Sequence, residues 1–284
     1  MPFVRAADGT RLHYAVSGRP SGPPVLLIQG LGADKHGWTM QRLALAPWFR
    51  TIAFDNRGAG RSDKPFGHYS LEQMADDAIA VLDAVGVETA HIVGASMGGA
   101  ITQIIGLRHP ERVRSLTLAC TACDHHPWRV ELLGEWADIA KTRGMGAMTA
   151  AAARWVIGPR SFRRLTPAIG WLGPLALSRP PHAFAGQVAA ILDMDDSVAS
   201  QLSEITVPTL VIVGNQDILT PRGDSEHLAE LIPTAELVVI SGAAHGYMIE
   251  HATTFNANLT DFLGRAERLD RERRAEVGEA RTAS

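Results

Sequence analysis

Along this chain, short unbroken apolar runs alternate with longer stretches in which apolar residues return every three or four positions. Val25-Leu26-Leu27-Ile28, Arg50–Phe54, His91-Ile92-Val93, Val113–Ala119, Ile205–Val213 and Glu236–Ile240 read as strands. Such near-continuous runs suit strands covered on both faces, as in parallel sheets. Trp38–Trp48, Leu71–Val85, the stretch from Ser96 to about His109, and Tyr247–Leu263 read as helices. Ser70-Leu71-Glu72-Gln73 is a capping box that opens the second helix, and Gly86 closes it. Pro110 stops the third. Thr220-Pro221 predicts an N-cap and a first helical residue for a helix to about Leu231. At the front, Phe3–Arg5 and Thr10–Val16 flank Asp8-Gly9, which predicts a two-residue hairpin. The pattern therefore predicts an α/β fold: eight strands in a mostly parallel sheet, with helices on both faces.

After the sixth strand the rhythm breaks. From Asp124 to about Ser200 there are only helical patches: Trp128–Arg143, Met145–Val156, Ser161–Leu177 and His182–Leu192. An insertion at this point would lie as a cap over the carboxyl edge of the sheet. Its aromatics Trp128, Trp136, Trp155 and Phe184 are candidates for an apolar pocket, with Phe162 and Trp171 beside them. Residues 1–123 and 201–265 then form the two parts of the core, 124–200 the cap, and 266–284 a charged tail. The tail holds many Arg and Glu residues and reads as a frayed, solvated helix or a disordered end.

Composition narrows the function classes. The chain has 284 residues, is 46% hydrophobic and carries a net charge of −3. It is long enough for one large core with an insertion, and the balanced charge points away from nucleic acid. Only two cysteines, an N-terminus with no signal-peptide pattern and no apolar stretch of spanning length predict a cytoplasmic protein with no membrane span. The oligomeric state stays open between monomer and homodimer.

The candidate chemistry centres on Gly94-Ala95-Ser96-Met97-Gly98, which follows a strand and precedes a helix. That is the setting of a nucleophile elbow, in which a serine hydroxyl is thrust beyond the sheet and the helix N-terminus faces any oxyanion. Asp217 and His245 also follow apolar strands, in the order nucleophile, acid, base. His245 would take and return the serine proton, and Asp217 would hold its tautomer. The N–H groups of Met97 and Leu31 are the expected oxyanion donors, each worth about 3 kcal/mol in the transition state. Gln29 and Gly30, at the end of the third strand, are expected to border the substrate. Asp124 is a spare acid, should Asp217 face elsewhere. Asp55 and Arg57 are expected to hold their glycine-rich turn together, since no phosphate-binding motif surrounds them. Cys120-Thr121-Ala122-Cys123 lacks a second pair, and His125-His126 lacks an adjacent carboxylate. No metal site and no cofactor is expected. The cysteines read as small buried residues near the pocket floor, the histidines as pocket rim or surface.

Several segments carry a family resemblance: Gln29-Gly30-Leu31-Gly32, Trp38, Asp55-Asn56-Arg57-Gly58-Ala59-Gly60-Arg61-Ser62-Asp63, Gly94–Gly99 and Pro208-Thr209-Leu210. Over most of residues 1–265 the chain resembles the α/β-hydrolase superfamily. Within it the chain is similar to the branch of 3-oxoadipate enol-lactonases, small carboxylesterases, cofactor-free perhydrolases and carbon–carbon bond hydrolases. Many of those relatives have histidine where this chain has Gln29. Serine at 96 argues against the epoxide-hydrolase and dehalogenase branches, which use a carboxylate. The resemblance implies a serine hydrolase that acts on a small ester or lactone through an acyl-enzyme. Carbon–carbon cleavage of a diketone and peracid formation are alternatives on the same triad, and a binding protein without turnover is opposed by the intact Ser, Asp and His.

Overall fold

A computed structural model describes residues 2–159, 161, 180–195 and 197–282, with 273–282 given by their backbone alone. Apart from short helical turns, the described elements run β1 (Phe3–Arg5), β2 (Arg11–Gly18), β3 (Pro24–Ile28), α1 (Thr39–Leu45), β4 (Arg50–Phe54), α2 (Leu71–Ala84), β5 (Ala90–Ala95), α3 (Met97–Arg108), β6 (Val113–Ala119), α4 (Pro127–Val156), α5 (Pro181–Leu192), β7 (Thr209–Gly214), α6 (Arg222–Leu231), β8 (Ala235–Ile240) and α7 (Ala252–Thr282).

The strands make one eight-stranded sheet in the order β1-β2-β4-β3-β5-β6-β7-β8. The β1–β2 and β2–β4 pairs are antiparallel and the rest are parallel. Both faces are covered, which is why the central strands had to be apolar throughout. Leu26, Ile28, Ile92, Leu116 and Val211 pack on the face of α2, α3 and α6. Their neighbours Val25, Leu27, Val93, Leu210 and Ile212 pack on the other face, with Leu45 of α1 and Phe255 and Leu259 of α7. Strand order reverses at β3 and β5, so a crevice opens at their carboxyl ends, the usual place for a ligand on such a sheet.

Gly86 ends α2 as expected, at φ 68. Its N–H bonds to the Asp83 carbonyl at 3.0 Å and that of Val87 to Leu82 at 3.0 Å, closing the helix end. The hairpin differs from its expected form. Gly9 N–H donates to the Ala6 carbonyl at 2.9 Å and Ala6 N–H to Thr10 at 2.8 Å. The loop therefore has three residues, Ala7–Gly9, with Gly9 in the left-handed region at φ 87.

The two helices expected between Trp128 and Val156 meet at Gly144, whose φ of 83 and ψ of 168 break the helical run α4 between Arg143 and Met145. A residue with a Cβ would resist that conformation. Helix α4 packs against α5 around Leu133, Trp136, Met148 and Phe184. Most of the expected helix Ser161–Leu177, with Phe162 and Trp171, lies outside the described residues.

Past residue 265 the described chain continues as helix. Helix α7 runs from Ala252 to Thr282. Ala266, Glu267 and Asp270 are buried against the sheet. Glu267 accepts from His91 Nε2 at 3.1 Å, Arg114 Nη1 at 2.9 Å and Arg271 Nε at 2.8 Å. Burial alone would raise its carboxyl, but these three donors outweigh it and hold the group at about 2. The charges that suggested a solvated tail are, at Glu267, an anchor.

Candidate active site

Ser96 is the residue between β5 and α3. Its φ of 54 and ψ of −119 are strained for a side chain with a Cβ. The glycines around it make this turn possible. A Cβ on Gly94 would run into the Gly98 carbonyl and the Thr102 hydroxyl, and one on Gly98 into the Ile28 carbonyl. The turn is pinned from below: Ser96 N–H donates to the Ala119 carbonyl at 2.9 Å, and the Thr121 hydroxyl to the Ser96 carbonyl at 2.9 Å.

Asp217 follows β7 and is buried. Oδ1 accepts from the N–H groups of Leu219 and Thr220, both at 2.9 Å. Oδ2 accepts from the Thr220 hydroxyl at 2.9 Å and lies 2.8 Å from His245 Nδ1. Thr220 was expected as a helix cap. Instead Pro221 precedes α6, and the Thr220 hydroxyl turns back to Asp217, also 3.2 Å from His245 Nδ1. That arrangement assigns the imidazole proton to Nδ1 and leaves Nε2 as an acceptor. Ser96 and His245 line the same cavity, with no direct hydrogen bond between Oγ and Nε2. Such bonds are often long before substrate arrives and tighten in the Michaelis complex. Asp124, the spare acid, pairs with His227 Nε2 at 3.2 Å and not with His245.

The loop after β3 brings donors to the same point. Gly30 N–H is taken by Gln29 Oε1 at 2.9 Å, Gly32 N–H by Gln187 Oε1 at 2.8 Å, and Ala33 N–H by the Gly30 carbonyl at 3.3 Å. The Leu31 N–H is the one left uncommitted in this run, among the described residues. On the elbow side, Gly99 and Ala100 donate to the Ser96 carbonyl, which leaves the N–H of Met97 free at the helix start. A Cβ on Gly30 would sit 3.2 Å from the Ser96 Cβ, so the two loops approach closely.

The glycine-rich turn after β4 supports this loop from behind. Asp55 accepts from the N–H groups of Lys35 and Arg61 and from Lys35 Nζ, each at 2.9 Å. Burial would raise the Asp55 carboxyl, but these donors outweigh it and hold it below its ordinary range. Arg57 forms a two-pronged pair with Asp77, at 2.6 and 2.8 Å, as expected of a residue that fixes the turn. Asn56 Nδ2 then donates to the Gln29 carbonyl at 2.9 Å.

Ser96 opens into a cavity of about 620 Å³ with predominantly apolar walls. Gln29, Gly30, Trp136 and Phe184 line it, as expected, along with Leu133 and Met148. Trp128 and Trp155 do not. Their rings stack on each other 5.8 Å apart, and Trp128 is 37% exposed, so they hold the cap's outer surface together. The cysteines were expected at the pocket floor, but Thr121 and Ala122 between them line the cavity instead. Cys120 is turned into the core at φ 42, and burial pushes its thiol well up. His125 reaches the cavity, whereas His126 pairs with Asp224 at 2.9 Å.

Three contributors were not legible as site residues. Gln187, fully buried in α5, joins the cap to both loops: besides Gly32 it donates from Nε2 to the Arg57 carbonyl at 2.7 Å. A glutamine inside the apolar stripe Phe184-Gln187-Val188 was the available signal. Arg129 lines the cavity and pairs with Asp224 at 2.6 Å. Thr220 is the third, and its resemblance to a helix cap concealed it.

Comparison with known proteins agrees with this fold. A family model described as the α/β hydrolase fold matches residues 23–145. A putative carbamate hydrolase RutD from Azorhizobium caulinodans is 31% identical, covering 93% of this chain and 98% of that protein. The 3-oxoadipate enol-lactonase 1 of Acinetobacter baylyi is 28% identical over 92% of this chain and 96% of its own. The crystal structure of an enol-lactonase from Burkholderia xenovorans superposes with a TM-score of 0.85 at 29% identity, covering 93% of this chain and all of that one. The chain belongs to the α/β-hydrolase family of enzymes.

Proposed function

We propose that this enzyme cleaves a carboxylic ester or lactone with a modest apolar acyl group through a covalent acyl-enzyme on Ser96. The segment inserted after β6 supplies part of the acyl pocket through Leu133, Trp136, Met148 and Phe184. Ser96 Oγ attacks the carbonyl carbon while His245 Nε2 takes its proton. Asp217 keeps the other ring proton on Nδ1 and stabilises the imidazolium. Negative charge forming on the carbonyl oxygen is met by the N–H groups of Leu31 and Met97. His245 then gives its proton to the leaving alkoxide, and the C–O bond breaks. Water, deprotonated by the same imidazole, attacks the acyl carbon and releases the acid. In a lactone the leaving alkoxide stays tethered, and the product is a hydroxy acid.

One observation carries the reading. His245, held by Asp217, and the strained Ser96 border one apolar cavity, between two loops that each hold an uncommitted N–H group. A volume of about 620 Å³ lies within the range of sites for small organic molecules. Its apolar lining favours a hydrocarbon-bearing acyl group over a small polar carbamate.

The test is a hydrolysis screen of p-nitrophenyl esters of increasing acyl length, lactones, and vinylogous diketones. The expected outcome is turnover of short to medium esters or lactones that is lost in Ser96→Ala. Turnover of the diketones alone would move the reaction to carbon–carbon cleavage. No turnover of any of the three by a folded protein would count against the proposed activity.

A further inference from the structure

The loop that leaves β6 and the start of α6 enclose a second cavity of about 230 Å³, bordered by Cys123, Asp124, His126, Asp224 and His227. Among the described residues, the ligand atoms of Cys123, Asp124 and His227 all lie within 4.8 Å of one another. Cys123 Sγ is 3.8 Å from Asp124 Oδ2, which is 3.2 Å from His227 Nε2. Around a tetrahedral zinc ion, with bonds of about 2.0 Å to N or O and about 2.3 Å to S, the corresponding edges are about 3.5 and 3.3 Å. The side chains thus stand close to coordination geometry.

We propose that Cys123, Asp124 and His227 form a binding site for a zinc-like transition-metal ion, separate from the hydrolytic centre. The donor set argues for the class of ion. A thiolate with an imidazole and one carboxylate suits zinc and its borderline neighbours, and is foreign to calcium and magnesium, which take oxygen ligands. Three protein ligands leave a fourth position for water. Asp224, behind the site, is already engaged by Arg129 and His126. Cys120, the other half of the C-x-x-C, is fully buried and takes no part.

The position gives the ion a task. Asp124 borders both this cavity and the large one. Cys123 and Asp124 lie where the chain leaves the sheet for the cap, and His227 lies on the helix that follows the Asp217 loop. Bound metal would tie the base of the cap to that helix and draw Asp124 towards His227. The ion therefore stabilises the closed wall of the acyl cavity and takes no part in bond cleavage. His227 is 104 residues from Cys123, so no contiguous motif announces the site.

The test uses the full-length, chelator-treated protein titrated with Co²⁺, followed by Zn²⁺. A single Co²⁺ per chain is expected, with visible bands of a tetrahedral ion and a near-ultraviolet thiolate-to-metal band, both abolished by one equivalent of Zn²⁺. Binding releases the thiol proton to solvent, so affinity should rise with pH. Cys123→Ser should remove the thiolate band. His227→Ala, at a half-exposed position on α6, should weaken Co²⁺ binding at least ~10-fold and keep the fold even where the cysteine variant does not. Zn²⁺ at about 100 times its Kd should raise the Tm of the wild type by several degrees and leave His227→Ala unmoved. Absence of the thiolate band in the wild type overturns the proposal. So does Co²⁺ affinity unchanged by His227→Ala.

Discussion

Replacing Asp217 by Asn keeps its shape and two of its hydrogen bonds, and should still disable the enzyme. Oδ1 accepts the N–H groups of Leu219 and Thr220, and an Asn oxygen can do the same. The Thr220 hydroxyl can reverse and accept from the new amide. His245 is the partner that cannot adapt without cost. An amide N–H in place of Oδ2, 2.8 Å from Nδ1, forces Nδ1 to be the acceptor and moves the ring proton to Nε2. Nε2 can then no longer take the Ser96 proton. The same tautomer error in a serine protease lowers kcat by about 10⁴, equivalent to about 5.5 kcal/mol of barrier. With the backbone bonds retained, the Tm should move by only a few degrees. The assay is kcat on a short p-nitrophenyl ester beside a thermal melt. A kcat within tenfold of the wild type, at an unchanged Tm, would refute the assignment and return attention to Asp124.

Other perturbations separate the parts of the account. Trp136→Leu, which enlarges the cavity wall, should shift the kcat/KM preference towards longer acyl chains by about tenfold. Trp128→Leu, outside the cavity, should leave that preference alone. Gly98→Ala places a Cβ against the Ile28 carbonyl and should cost about 3 kcal/mol of stability, read by urea denaturation. Glu267→Gln should lower the Tm at pH 7, by an amount corresponding to about 1.5–3 kcal/mol. Its carboxyl sits at about 2, against an ordinary 4.5, so its contribution is present above pH 4.5 and lost as the pH falls towards 2. The wild type should therefore lose more stability than the variant across that window; equal losses would contradict the pairing.

Much of the fold was legible because it depends on local pattern. Central strands buried on both faces must be apolar throughout, and the elbow must carry glycine where a Cβ would strike backbone. These constraints exposed the sheet, the position of Ser96, and the strand-end placement of Asp217 and His245. What escaped depends on where distant side chains point. Trp128 and Trp136 share one helix and one composition, but only Trp136 faces inward. The polar residues after 265 looked solvated because His91 and Arg114, their partners, lie more than 150 positions earlier. Thr220 and Gln187 are ordinary polar residues in sequence, and acquire meaning only when Asp217, Gly32 and Arg57 surround them.

The most direct measurement is covalent labelling with an alkyl p-nitrophenyl phosphonate, read by mass spectrometry of the digested protein. The account predicts one stoichiometric adduct, on the peptide containing Ser96, that forms as hydrolysis is lost and is missing in Ser96→Ala. A protein that remains unlabelled, or takes up the same label with alanine at 96, would contradict it.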